Sequence, residues 1–219
     1  MVGQLLEIHD PRSVSYGIDA PKSSGRGRAC FPRPVRVIGG AARGRRLQAP
    51  RGRQTRPTSD FLRETLFDLL GQQVAERNFL DLYAGTGAVG IEALSRGASR
   101  AVFVERDRSA LARLYRNLEI SGFMDRAEVA PLEVLRYLRR AASEGRRFDL
   151  IFLDPPYRGV DMVVPLALIV EGGLLAPGAL AILERSARST PLEAPHGIAL
   201  VREVRHGDSR LDLYRWEGA

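Results

Sequence analysis

From residue 79 onward, short apolar runs alternate with amphipathic stretches, and that alternation constrains the fold more than any other feature. Phe79–Tyr83, Ala101–Glu105, Ala127–Val129, Phe148–Leu153 and Ala179–Glu184 read as strands. Between them, four stretches read as helices: Ala88–Ser95, closing near Gly97; a segment capped by Asp107 or Ser109 and ending near Gly122; Leu132–Ala142; and Asp161–Val170, with Pro165 in its first turns. A near-continuous apolar run such as Phe148–Leu153 marks a strand covered on both faces. Strands alternating with helices build a mostly parallel sheet between two helical layers. Two more alternating runs, Ile198–Arg205 and Arg210–Trp216, are joined by His206-Gly207-Asp208-Ser209. They predict an antiparallel hairpin at one sheet edge. The expectation is therefore an α/β, Rossmann-like fold with seven strands.

The first quarter of the chain is different. Residues 1–60 hold 12 basic and 4 acidic side chains, whereas residues 61–219 hold 21 and 22. The whole net charge of +7 thus sits ahead of the alternating region. Segregated charge of this kind fits a polyanion, most often nucleic acid. Residues 1–34, interrupted by four prolines, read as a flexible basic extension. Val35 and Val37 alternate with Arg36, Gly39-Gly40 makes a turn, and Arg43-Gly44-Arg45-Arg46-Leu47 returns. This predicts a small basic β-hairpin within 35–58, outside the core, with Arg36, Arg43, Arg45, Arg46 and Arg56 able to fork onto phosphates. Thr58, Ser59 and Asp60 are N-cap residues for a helix from about Asp60 to Gly71, with Leu62, Leu66, Leu69 and Leu70 facing inward. Arg63 and Glu64 read equally as a surface pair or as groups aimed at a site. Residues 59–219 form the expected main domain. One cysteine, Cys30, excludes an internal disulfide and a cysteine-cluster metal site. No apolar run reaches membrane-span length, and Met1–Asp10 does not read as a secretory signal, so a cytoplasmic location is expected.

Two motifs carry chemistry. Asp81-Leu82-Tyr83-Ala84-Gly85-Thr86-Gly87 lies at the carboxyl end of the first strand, where open α/β sheets bind ligands. Gly90 completes a Gly-x-Gly-x-x-Gly pattern, and Glu105 ends the second strand, placed to accept ribose hydroxyls. These features suit NAD and S-adenosylmethionine equally. Asp154-Pro155-Pro156-Tyr157 follows the fourth strand. The prolines stop the ladder and stiffen the turn. The corner offers a carboxylate, free carbonyls and a ring, which together suit a planar group bearing an exocyclic amine. Hydride transfer has no use for such a corner; methyl transfer to a nucleobase amine does.

Asp81–Gly87, Glu105 and Asp154–Tyr157, in that order, resemble the class I S-adenosylmethionine-dependent amino-methyltransferases. Arg36–Gly40, Arg43–Arg45, Thr55–Thr58 and the Asp60…Arg63-Glu64…Leu66-Phe67 helix are similar to the RsmD family of bacterial 16S rRNA guanine-N2 methyltransferases. The resemblance spans about residues 35–217. It implies that Asp81, Tyr83, Ala84, Gly85 and Gly87 shape the donor pocket, that Glu105 holds the ribose, that Glu133 contacts adenine, and that Arg106 and Asp154 also belong to the cofactor-binding set. In the family pattern an Asp or Asn commonly stands where Leu132-Glu133-Val134 occurs. It further implies that Asp154 and the Pro155 carbonyl grip the amine, with Pro156 holding the turn, and that Tyr157 stacks on the base. The partner implied is 16S rRNA, free or within the small ribosomal subunit or its assembly intermediate. A monomer needing no metal is the default expectation. An adenine-N6 methyltransferase, an NAD-dependent oxidoreductase and an RNA-binding protein without activity are the alternatives.

Overall fold

The computed structural model describes residues 35–49, 60–155, 162–190 and 192–218. The elements are α1 (Asp60–Leu70), β1 (Asn78–Leu82), α2 (Ala88–Ser95), β2 (Arg100–Val104), α3 (Arg108–Ser121), β3 (Ala127–Ala130), α4 (Val134–Ser143), β4 (Phe148–Leu153), α5 (Val163–Glu171), β5 (Leu175–Ser186), β6 (Ile198–His206) and β7 (Ser209–Trp216). One seven-stranded sheet has the order β3-β2-β1-β4-β5-β7-β6. Strands β1 to β5 run parallel, and β7 pairs antiparallel with both β5 and β6. The expected fold and its edge hairpin are present.

The strand pattern sorts the core into two layers. Phe79, Phe103, Leu150 and Phe152 join the α1, α2 and α3 layer, whereas Leu80, Val102, Ile151 and Leu153 join the α4 and α5 layer. This is the two-residue period of a strand buried on both faces. β5 starts earlier than Ala179. Phe148 pairs with Leu175, and the register then jumps so that Leu150 meets Leu180. The extra residues bulge outward at exposed Pro177-Gly178, because proline has no N–H for the ladder. The turn signal there lies inside the strand.

The N-terminal hairpin corrects one expectation: it belongs to the core. It carries an Arg36–Arg46 bridge and a Leu47 N–H donating to the Val35 carbonyl at 2.8 Å. Val35, Val37, Ala42 and Leu47 are buried in the same layer as α1 and α2. The basic residues hid this, because Arg36, Arg43, Arg45 and Arg46 take the exposed positions while the valines alternate inward. The turn lies on the end of α2. Ser95 accepts the Ala41 N–H through its carbonyl at 2.8 Å and the Ala42 N–H through Oγ at 2.9 Å. Gly40 (φ +75°) is needed there, since a Cβ would stand 1.9 Å from the Ser95 carbonyl oxygen.

Arg63 resolves the earlier ambiguity in a third way. It is fully buried, with its Nη2 donating to the Arg36 carbonyl at 2.7 Å and to Asp60 Oδ1 at 2.9 Å. Glu92, also fully buried, lies across from it, 3.9 Å from Arg63 Nε. Leu69 is only half-buried, and Phe67 takes the inward place instead.

Candidate active site

The register places the site residues in one row. Leu153, Leu82, Val104 and Ala130 are consecutive partners across β4, β1, β2 and β3. The residue after each is therefore Asp154, Tyr83, Glu105 and Pro131, spaced at roughly 4.8 Å per strand along the carboxyl rim. β4 and β1 are neighbours whose connections leave in opposite directions, since β1 proceeds to β2 and β4 to β5. This is the switch point at which α/β sheets open a crevice.

The loop after β1 is held from several sides. The Ala84 N–H donates to the Val104 carbonyl at 3.0 Å, and the Gly87 N–H to the Ala84 carbonyl at 2.8 Å. Tyr83 has φ +66°, a left-handed conformation unfavourable for a residue with a Cβ. Such a conformation costs on the order of 1 kcal/mol or more and persists only where the surroundings impose it. Gly85 and Gly87 are left-handed too, with φ of +56° and +83°. A Cβ on Gly85 would meet nothing within 4 Å, so the loop presents bare backbone toward open space. A Cβ on Gly90 would instead lie 2.3 Å from the Phe103 ring, so that glycine serves close packing of α2 on β2.

Asp81 is buried and accepts the Gly90 N–H on Oδ2 at 2.9 Å. Burial pushes its carboxyl up to about 7; the Gly90 hydrogen bond opposes this and the nearby Glu105 charge adds to it. The folded state thus binds a proton more tightly than the unfolded chain, so Asp81 contributes stability below about pH 4 that is lost as pH rises to about 7. Unfolding free energy should fall by about 1.4 kcal/mol per pH unit between roughly pH 5 and 6.5 relative to Asp81→Asn. Urea unfolding of both proteins at several pH values measures this. Parallel profiles would remove Asp81 as the titrating group.

Glu105 is already committed to backbone. Oε2 accepts the Gly85 N–H at 2.8 Å, and Oε1 accepts the Arg106 and Asp107 N–H groups at 2.7 and 2.8 Å. A carboxylate has about four acceptor sites, so one remains on Oε2 for a further donor such as a hydroxyl. The Glu133 side chain caps α4, accepting the Arg136 N–H at 3.0 Å. Burial raises the Tyr83 phenol, Glu133 raises it further and Arg106 lowers it, which places all three in one electrostatic neighbourhood. Asp154 and Pro155 are half-buried at the end of β4. Pro156, Tyr157, Thr55, Arg56 and Thr58 lie outside the described residues.

Two buried polar residues escaped the sequence reading. Asn117 on α3 donates through Nδ2 to the Thr86 carbonyl at 2.8 Å and to the Gln48 carbonyl at 3.1 Å, and accepts the Gln48 N–H on Oδ1 at 2.7 Å. One amide thus ties the glycine loop to the end of the hairpin. Glu92 on α2 accepts the Ile38 and Gly39 N–H groups at 2.7 and 2.8 Å and the Arg96 Nε–H at 2.8 Å. The available signal was a polar residue in a buried helical stretch: Asn117 three residues after Leu114 and next to Leu118, and Glu92 inside the buried run Val89–Ser95.

Comparison with known proteins follows the same outline. A family model described as Conserved hypothetical protein 95 matches residues 35–215. Ribosomal RNA small subunit methyltransferase D of Escherichia coli (strain K12) is 34% identical, over 90% of this chain and 94% of that protein. Its namesake in Haemophilus influenzae is 34% identical, over 83% of this chain and 93% of that protein. The solved structure of Escherichia coli yhhF has a TM-score of 0.75 at 35% identity, covering 84% of this chain and 98% of that one.

Proposed function

The chain belongs to the RsmD family, whose model is described as Conserved hypothetical protein 95, and on that premise we propose that it transfers a methyl group from S-adenosylmethionine to the N2 amine of one guanine in 16S rRNA. The carrying observation is the rim row, in which Asp154 stands one strand from the Tyr83–Gly87 loop and two from Glu105. In this reading donor and acceptor corners meet at the switch point of the sheet.

The residues present fit the donor. Gly85 offers backbone with no side chain in the way, Glu105 keeps one acceptor position, and Asp81 supplies a carboxylate that a bound cation would ionise. When bound, S-adenosylmethionine supplies an electrophilic methyl on a sulfonium. The guanine N2 lone pair is delocalised into the ring and is a weak nucleophile. In this reading Asp154 and the Pro155 carbonyl accept the two amine hydrogens, localise that lone pair, and stabilise the positive charge developing on nitrogen. Asp154 then takes or relays the proton lost after transfer. Alignment of amine and donor supplies much of the remaining acceleration. The target base has to be unpaired or flipped to reach the crevice.

The hairpin is the RNA-binding part of this reading. Arg36, Arg43, Arg45 and Arg46 are all exposed along it. Arg45 also donates to the Ile120 carbonyl at the end of α3, so its share of phosphate binding is smaller. Replacing Arg43, Arg45 and Arg46 with alanine should lower the slope of log affinity against log salt by about 1.4, the value for two phosphates, rather than the ~2.1 for three. Filter binding of small-subunit RNA from 50 to 300 mM salt, roughly the range in which such slopes develop, reads it. An unchanged slope would move the RNA surface elsewhere.

The direct test is methyl transfer from labelled S-adenosylmethionine to small ribosomal subunits from cells lacking the enzyme, with the product nucleoside identified by mass spectrometry. N2-methylguanosine is expected. N6-methyladenosine would replace the substrate assignment, and absence of label in rRNA would overturn the reading.

A further inference from the structure

We propose that Phe61 and His206 form a stacking platform for a second, non-target nucleobase of the RNA, a proposal that rests on the RNA reading above. Their rings are face to face, with centroids 3.9 Å apart and planes 27° from parallel. Both residues are exposed, and Phe61 retains 52% of its accessible surface although the other aromatic residue of α1, Phe67, is fully buried. The apolar face of α1 is complete without Phe61: Leu62, Leu66, Phe67 and Leu70 fill it.

The location ties the pair to the site. His206 pairs with Ser209, which pairs with Ser186 of β5, and β5 places Leu183 opposite Leu153 of β4. The platform therefore stands at the same carboxyl rim as Asp154, three strands away in the order β4-β5-β7-β6. That is roughly 14 Å at the usual strand spacing, too far to touch the target base but within reach of a nucleotide a short way along the same strand. The rim beside it carries a cation. Arg188 is 84% exposed and 3.7 Å from Asp208, and the Ala187 N–H donates to the Asp208 carbonyl at 2.8 Å, bringing the Arg188 turn against the β6–β7 turn. Arg205 precedes His206 on β6, so its side chain leaves the opposite face of the strand, where it pairs with Glu203 at 2.6 Å. Exposed flat rings near the exposed Arg188 guanidinium suit single-stranded nucleic acid, whose bases stack irrespective of sequence and whose phosphates seek cations.

The alternative role is a structural clasp between α1 and the β6–β7 turn, and the test separates the two. The probes are a short oligoadenylate and an abasic oligoribonucleotide of equal length, titrated against the full chain and against Phe61→Tyr, Phe61→Leu and His206→Ala. The native chain should prefer the oligoadenylate by about tenfold, Phe61→Tyr should keep that preference, and Phe61→Leu and His206→Ala should lose most of it. With small ribosomal subunits, Phe61→Leu should raise KM about tenfold at unchanged kcat, donor affinity and melting temperature. A clasp would instead lower the melting temperature and leave the base preference intact, which would overturn the platform. If native protein methylates rRNA while Phe61→Leu and His206→Ala match it in KM and base preference, the platform fails and the enzyme reading stands. If native protein yields no methylated nucleoside in rRNA, the enzyme reading fails first and the platform with it.

Discussion

Asp154→Ala lowers kcat by at least about 10²–10³-fold and leaves donor affinity within about twofold. The magnitude follows from the role proposed for the side chain. A preorganised polar group aimed at developing charge is worth about 10²–10³ in rate when removed. In that role Asp154 would also set a carboxylate against a nitrogen that becomes cationic, so the loss should lie at or above that range. Asp154→Asn separates the two parts of its contribution. The amide oxygen still accepts one amine hydrogen but carries no charge, so its rate should fall between native and alanine. Donor affinity is spared because the glycine loop is held by other groups, namely the Val104 carbonyl, Glu105 and Asn117. Single-turnover methyl transfer and calorimetric titration of S-adenosylmethionine measure the two effects separately. Equal losses in both would make Asp154 a donor ligand and leave the amine without its main acceptor.

The same residues explain what could be seen in the sequence. The placement of Tyr83, Glu105 and Asp154 was legible because a residue just after an apolar parallel strand lies at the carboxyl end of the sheet, whatever its role. No distance was needed to bring them together, only the periodicity of β1, β2 and β4 and the switch in strand order. The core role of the hairpin is hidden in the sequence by the dense arginines around Val35 and Val37, whose partners lie far along the chain. Asn117 was invisible for the same reason, since nothing near it in sequence announces Thr86 or Gln48. Arg63 was the hardest case. A guanidinium beside a leucine stripe ordinarily lies on the surface, and Asp60, Glu92 and the Arg36 carbonyl together show why this one does not. Local pattern therefore identified the rim, whereas buried polar pairs required the tertiary structure.

Those buried pairs lead to the largest expected stability effect. Glu92→Ala should destabilise the folded state by about 3–5 kcal/mol, the usual cost of removing one member of a buried ion pair. Two losses combine. The Ile38 and Gly39 N–H groups and Arg96 lose their acceptor, and the Arg63 guanidinium stays fully buried with one of its two carboxylates removed, keeping Asp60 at 2.9 Å from Nη2. Arg63 has little in reserve, because Nε and Nη1 have no hydrogen-bond partner among the described residues. Glutamine is no remedy: its NH2 group would face an N–H it cannot accept. At about 2–4 °C per kcal/mol for a chain of this size, the melting temperature should fall by roughly 6–20 °C. The double variant Arg63→Met, Glu92→Leu removes both charges, and it should recover part of this loss but not the docking of the hairpin backbone. Amide exchange at Ile38 and Gly39 should therefore remain fast in both variants while the β1 and β4 amides regain protection in the double one. A loss below about 1 kcal/mol for Glu92→Ala would mean instead that Val35, Val37 and Leu47 hold the hairpin by apolar contact alone.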